Sequence, residues 1–222
     1  MSKENQKTLE VYEELFQEYF NGTKRRIKSR GIEKSAKKAI IEHNYWFEGF
    51  KTLGDHADIL EIGSADGLGA KALAKHRFNV TTSNTVGGFI KVLEKSGLKP
   101  IKFNVLIDRL DCQFDGVLAW HVFVHFTPED LKIALKNIHD ILRPGGRLIF
   151  DVQTRGEENG EIAEWLDYEG DYHLGAKRFF QYYSESGVRN IIDDANFKTV
   201  KFERHNSDSG IGWLRFVVTP KS

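Results

Sequence analysis

The sequence predicts an α/β fold: a doubly wound, mostly parallel seven-stranded sheet with an antiparallel C-terminal hairpin and an N-terminal helical lid. Three observations carry that expectation. Beyond residue 57, short β-rich runs alternate with helical patterns, which implies parallel strands joined by right-handed crossovers. The first β-run breaks into a glycine-rich stretch, "LEIGSADGLG" at 60–69. The last two β-runs, 197–204 and 213–220, lie close enough in the chain to pair antiparallel.

The 222 residues suffice for one ample core, and 40% hydrophobic with 12% aromatic residues is a globular composition. Thirty-two basic residues balance thirty-two acidic ones, so no global field draws the chain to nucleic acid or membrane. A single cysteine, Cys112, excludes an internal disulfide, and the start "MSKENQK" lacks the apolar core of a secretory signal, so a cytoplasmic location is expected. The most apolar run, "GVLAWHVFVHF", is too short to span a bilayer.

In chain order, residues 7–20 place Val11, Tyr12, Leu15, Phe16, Tyr19 and Phe20 on a helical stripe, with Asn21–Gly22–Thr23 expected to stop it. Residues 24–38 carry eight Lys or Arg against one Glu, and a further apolar-periodic segment runs toward Phe50. The run reads as a solvated helix face or as a phosphate-binding edge. Strands are expected at 58–62, 79–83, 100–105, 114–120 and 147–152, with helices near 68–76, 87–96 and 128–142. Thr127 and Asp130 form a capping box around Pro128, Ser184 caps a last helix, and Asn196 ends it. Residues 1–50 are expected to be the lid and 51–222 the main domain, with an acceptor-side insertion at 153–183.

In an open α/β sheet, ligands bind beyond the carboxyl ends of the strands, where strand order reverses. The turn at 62–69 belongs there. Gly63 and Gly67 remove side chains where a ligand touches backbone, and Gly69 allows close helix-to-strand approach. A dinucleotide fingerprint is a poor match, since its third glycine falls on Leu68 and Asp66 would oppose a pyrophosphate. No "GK[ST]" follows, which excludes a P-loop.

"LEIGSADG", "FDGVLAWHVFVHFTPEDL" and "ILRPGGRLIFDV", in this order and spacing, resemble the blocks of class I S-adenosylmethionine-dependent methyltransferases of the small-molecule type. The resemblance implies S-adenosylmethionine as cofactor, with Glu61 as the first-motif acid and the backbone of Gly63, Ser64, Ala65, Asp66 and Gly67 against its methionine part. The ribose-binding acid of the family falls on Asn84, a departure that should change or remove one hydroxyl contact, with Thr82 and Ser83 as possible substitutes. Asn104 and Val105 take the adenine position. Trp120 and His121 end the fourth strand on the methyl side, and His125 occupies the family's loop histidine. His121 and His125 are the candidate bases, a neutral imidazole at 121 suiting an alcohol acceptor. Tyr19 and Thr23 resemble an N-terminal lid that covers the cofactor. Arg155, Trp165, Tyr168, Tyr172, Arg178, Tyr182 and Tyr183 populate the insertion.

The implied reaction is methyl transfer to an oxygen or nitrogen of a small metabolite, neutral or anionic, without a metal. RNA or protein methylation and non-catalytic binding of the cofactor are the alternatives, the first supported by the basic run and the second by Asn84. The residues leave the acceptor and the oligomeric state open.

Overall fold

The computed structural model describes residues 1–30, 32–167, 173–205 and 211–221; Tyr168 and Tyr172 lie outside it. The side chains of residues 24 and 26–40, most of the basic run, also fall outside the description.

Three helices, α1 (Lys3–Glu14), α2 (Phe16–Arg30) and α3 (Ile32–Phe50), precede the alternating part: β1 (Asp58–Ile62), α4 (Leu68–Lys75), β2 (Asn79–Asn84), α5 (Gly87–Lys95), β3 (Ile101–Lys102), β4 (Phe114–Ala119), α6 (Pro128–Ile141) and β5 (Leu142–Thr154). Then come β6 (Ile162–Leu166), β7 (Arg178–Tyr182), α7 (Glu185–Asp194), β8 (Phe197–His205) and β9 (Gly212–Pro220). Strands β3, β2, β1, β4 and β5 pair in parallel in that order, β9 runs antiparallel to β5, and β8 antiparallel to β9. These are the seven strands expected. Strand order reverses at β1, which has β2 on one side and β4 on the other, so their carboxyl ends form a crevice.

Local chemistry accounts for the element ends. Thr127 Oγ1 accepts the Asp130 N–H at 3.2 Å and Pro128 opens α6, while Ser184 Oγ accepts the Gly187 N–H at 3.0 Å at the start of α7. Asn196 takes a left-handed φ of +61°. The capping box is only half formed, because the Asp130 carboxylate turns away to receive the N–H and hydroxyl of Ser2. Alternation along β1 sends Ile59 to one face, where Tyr45, Trp46 and Phe50 of α3 cover it together with Ile149 and Val217. Leu60 goes to the other face, under Leu135 and Ile138 of α6 and Val188 of α7.

Two expectations change. The first helix does not run to Asn21; it breaks at Leu15, and α2 continues through Asn21, Gly22 and Thr23. Tertiary packing overrides the turn signal: Phe16, Tyr19 and Phe20 set their rings 4.9, 6.0 and 6.5 Å from that of Phe89 on α5, and Thr23 Oγ1 returns its hydrogen to Tyr19 O at 3.1 Å. The sheet also has nine strands in place of the seven expected, because the insertion contributes two. Its β6 and β7 form an antiparallel hairpin, and Gln153 pairs with Tyr182, extending the ladder of β5 beyond the end of β4. The residues of β7 are buried on both faces and so show no alternation to read. No helix among the described residues is long and apolar enough to cross a membrane.

Candidate functional site

A cavity of about 330 Å³ opens at the carboxyl ends of β1, β2 and β4 and is roofed by α1 and α2. Its floor is the turn after β1. Gly63 takes a φ of +73°, and a Cβ there would sit 2.7 Å from Val122 Cγ2, so a side chain would both strain the turn and invade the wall. Ala65, at φ +45°, also lines the cavity. So do Tyr19, Thr23, Asn84, Asn104, Val105, Trp120, His121 and His125, brought together from four separate stretches of chain.

Glu61, Ser64, Asp66 and Gly67 do not line it; they build the turn. Ser64 donates its hydroxyl to Glu61 O at 3.0 Å and accepts the Ser83 N–H at 3.1 Å, stitching β1 to β2. Asp66 Oδ1 accepts the Leu68 N–H at 3.2 Å, and Gly67 begins α4. The Glu61 carboxylate is buried under the first turn of α4, where a Cβ on Gly69 would overlap Oε1. Burial pushes its carboxyl up to about 7, Asp66 adds to the rise, and the Ser64 hydroxyl and Ala70 N–H oppose it.

Asn84 spends its Oδ1 on the Val86 N–H at 3.0 Å, which leaves the amide as its contribution to the cavity wall. Neither Thr82 nor Ser83 substitutes for it: the Ser83 hydroxyl goes to Glu61 O at 2.9 Å, and neither residue reaches the cavity, where Thr85 does. Asn104 Oδ1 holds the Leu106 N–H at 3.0 Å, and Val105 O accepts from Asn137 at 2.7 Å, fixing the loop after β3.

The two histidines differ in kind. His125 Nδ1 lies 2.6 Å from Phe179 O; a carbonyl only accepts, so Nδ1 carries the hydrogen and Nε2 accepts from the Tyr12 hydroxyl at 3.0 Å. Tyr12 in turn accepts from Arg178 Nη1 at 3.3 Å. Burial pushes His125 down to about 4, and Arg178 reinforces it. His121 sits in the left-handed region at φ +58° between Asp151, 2.7 Å from Nδ1, and Glu42, 3.6 Å from Nε2. Burial works to lower its affinity for the proton, but Asp151 and Glu42 outweigh that and raise it to about 9. Both carboxylates therefore favour the charged form of the ring, whereas an alcohol acceptor would call for the neutral one.

Sequence reading missed Asn5, Thr8, Leu9 and Tyr12 of α1 and Val86 and Phe89 beside β2 in the cavity wall. Tyr12 was visible as part of the apolar stripe, but its inward aim was not. The insertion stays outside the cavity wall. Arg155 lies over the Tyr182 ring, Trp165 packs on Phe179, Tyr183 donates to Phe126 O, and Arg178 is buried near Tyr12, Tyr19 and Phe180. Among the described residues no three His, Cys, Asp or Glu side chains are grouped to hold a metal ion.

A family model described as a methyltransferase domain matches residues 35–201. Among curated proteins, the S-adenosyl-L-methionine-dependent Diels-Alderase iliD of Neonectria sp. (strain DH2) is 26% identical over 159 residues, 66% of this chain; the chain covers 60% of that protein's length. Among solved structures, the Burkholderia thailandensis 1,6-didemethyltoxoflavin-N1-methyltransferase, with bound 1,6-didemethyltoxoflavin and S-adenosylhomocysteine, superposes at a TM-score of 0.62 with 20% identity over 78% of this chain and 75% of that one. The magnesium protoporphyrin IX methyltransferase of Synechocystis PCC 6803, with bound S-adenosylmethionine, superposes at 0.68 with 11% identity over 100% and 99%. At these identities the two structures share the fold.

Proposed function

The chain belongs to the methyltransferase-domain family whose model spans residues 35–201, and on that footing we propose that it moves the methyl group of S-adenosylmethionine to an oxygen or nitrogen of a small, anionic metabolite. The observation that carries this reading is the cavity at the sheet's reversal point, because its wall gathers residues that the motif resemblance assigns without reference to any structure.

The lining suits an aromatic nucleoside with a polar tail. Tyr19, Phe89 and Trp120 offer flat apolar surface, Asn84, Thr85 and Asn104 offer a few directed polar groups, and the Gly63–Ala65 backbone approaches without side-chain bulk. These residues would hold the cofactor, which supplies an electrophilic methyl group when bound. What the chain contributes is orientation and the exclusion of water: residues 1–50 act as a lid through α1 and α2, and Thr23 and Tyr19 close the roof. His125, neutral and saturated by Tyr12 and Phe179 O, supports the wall rather than exchanging protons. His121 is the group available to an anionic acceptor.

Calorimetry with S-adenosylhomocysteine tests the reading. Binding by the wild type that Gly63→Val abolishes is the expected result, followed by label transfer from methyl-labelled donor to small molecules of a cell extract. No binding by the wild type, or equal binding by Gly63→Val, would overturn it.

A further inference from the structure

A left-handed backbone is unfavourable for a non-glycine residue, so His121 needs a restraint. Asp151 provides it twice. Fully buried in β5, it accepts the His121 backbone N–H on Oδ1 at 2.6 Å and faces Nδ1 with Oδ2 at 2.7 Å. Because a carboxylate can only accept, Nδ1 carries hydrogen, and Nε2 is the ring atom left for chemistry. The ring remains about a third exposed at the cavity edge. Nε2 is 3.6 Å from Glu42 Oε1 on α3, too far for a good direct hydrogen bond.

The surroundings are flat and charge-balanced. The Trp213 ring lies 4.2 Å and the Trp120 ring 5.5 Å from the imidazole. Arg215 of β9 covers Trp120 and pairs with Glu203 of β8 at 3.4 Å, while Lys201 of β8 covers Tyr45 of α3. Asp151 and Glu42 are thus the carboxylates directed at the ring itself, with Arg215 and Lys201 held against aromatic faces beyond it.

From this arrangement we propose that Asp151 is a positioning residue that presents His121 Nε2 to a weakly acidic hydroxyl, a phenol or enol, as the methyl acceptor, and that Glu42 strengthens the imidazole's hold on the proton the two share. The proposal rests on the methyl-transfer reading above. At neutral pH Nε2 already carries a proton, so the acceptor's O–H bond breaks with its proton leaving to solvent, and the oxygen keeps the electron pair as an oxyanion against the imidazolium; as pH approaches 9 the neutral ring takes that proton on Nε2 directly, which gives the same pair. A ring raised to about 9 matches phenols, whose tyrosine representative titrates near 10, so the proton is shared on nearly even terms. An amine acceptor would arrive as a cation beside a cation. Trp120, in the cavity wall beside His121, supplies the flat surface an aromatic or conjugated acceptor needs, and Trp213 packs on the imidazole.

The probe is 4-nitrophenol, whose phenol and phenolate absorb at different wavelengths, titrated with the protein in the presence of S-adenosylhomocysteine. The wild type is expected to favour bound phenolate by about tenfold over free dye, His121→Gln and Asp151→Asn to abolish that preference, and Glu42→Gln to weaken it. Nitrogen NMR of His121 should show its ring titrating near 9 in the wild type and at least about tenfold more weakly basic in Asp151→Asn. His121→Gln alters a ring a third exposed at the cavity edge and keeps the test decisive should Asp151→Asn fail to fold. Unchanged dye ionisation on binding, or the same ionisation with His121→Gln, overturns the proposal while S-adenosylhomocysteine binding by all variants leaves the methyl-transfer reading standing. No S-adenosylhomocysteine binding by the wild type overturns both.

Discussion

The hydroxyl of Tyr12 on α1 donates to Nε2 of His125, 3.0 Å away and 113 residues further along the chain. This bond joins the N-terminal helix to the loop after β4, and two others flank it: Asn5 Nδ2 to His125 O at 3.2 Å and Phe179 N–H to Thr8 Oγ1 at 3.0 Å. The buried residues of α1, Asn5 and Thr8, are thus both polar and both bonded to the body of the protein, while α2 packs its rings on Phe89.

Tyr12→Phe keeps the ring but deprives the buried Nε2 of its donor. The expected cost is about 1–2 kcal/mol of stability, read as a lower denaturation midpoint, with faster hydrogen exchange in α1 than in α6. Equal exchange in both helices would show that the bond does not hold the roof.

Stability should fall as pH rises from 6.5 toward 9. His121 is raised from 6.5 to about 9, so its contribution is complete below 6.5 and disappears on passing through 9. The ring is a third exposed, and solvent screening limits the loss to about 1–2 kcal/mol. On the acid side two groups oppose each other: His125, pushed down to about 4, loses stability as pH falls from 6.5 toward 4, whereas Glu61, pushed up to about 7, loses it as pH rises from 4.5 toward 7. Melting temperatures across pH 6.5–9 should decline in the wild type and stay nearly level in His121→Gln.

Gly69→Ala should be costly because of one neighbour. Its Cβ would overlap Glu61 Oε1, and a buried carboxylate has nowhere to move. A loss of about 2–3 kcal/mol is expected, shrinking to under about 1 kcal/mol when made in a Glu61→Ala background. Equal costs in the two backgrounds would place the strain elsewhere.

Asn84→Asp should tighten S-adenosylhomocysteine by about tenfold. The single carbonyl of Asn84 is already bound to Val86 N–H, so a second carboxylate oxygen adds an acceptor at the cavity wall, and a hydrogen bond to a charged group is worth about 1.5–3 kcal/mol before desolvation. Calorimetry checks it; unchanged or weaker binding would mean that residue 84 makes no contact with the ligand's hydroxyls.

Features set by neighbours in sequence were legible. The ends of α6 and α7 follow from Thr127, Pro128, Ser184 and Asn196, and the turn after β1 from Gly63 and Gly67, because capping and left-handed backbone depend on residues a few positions apart. The Asn21–Gly22–Thr23 signal misled for the complementary reason: the ring of Phe89, distant in sequence, stabilises α2 through it. Strand β7 escaped notice since burial on both faces erases the two-residue period.

By itself the sequence determined seven strands of the sheet, its reversal point and half of the cavity-lining residues, since hydrophobic period and turn chemistry are local and strand order follows from handed crossovers. Only the tertiary structure decided which groups surround each histidine. Asp151 meets His121 across 30 residues, while Tyr12 and Phe179 close on His125 from opposite ends of the chain. A histidine's charge is set by what surrounds it in space, which no window of sequence contains.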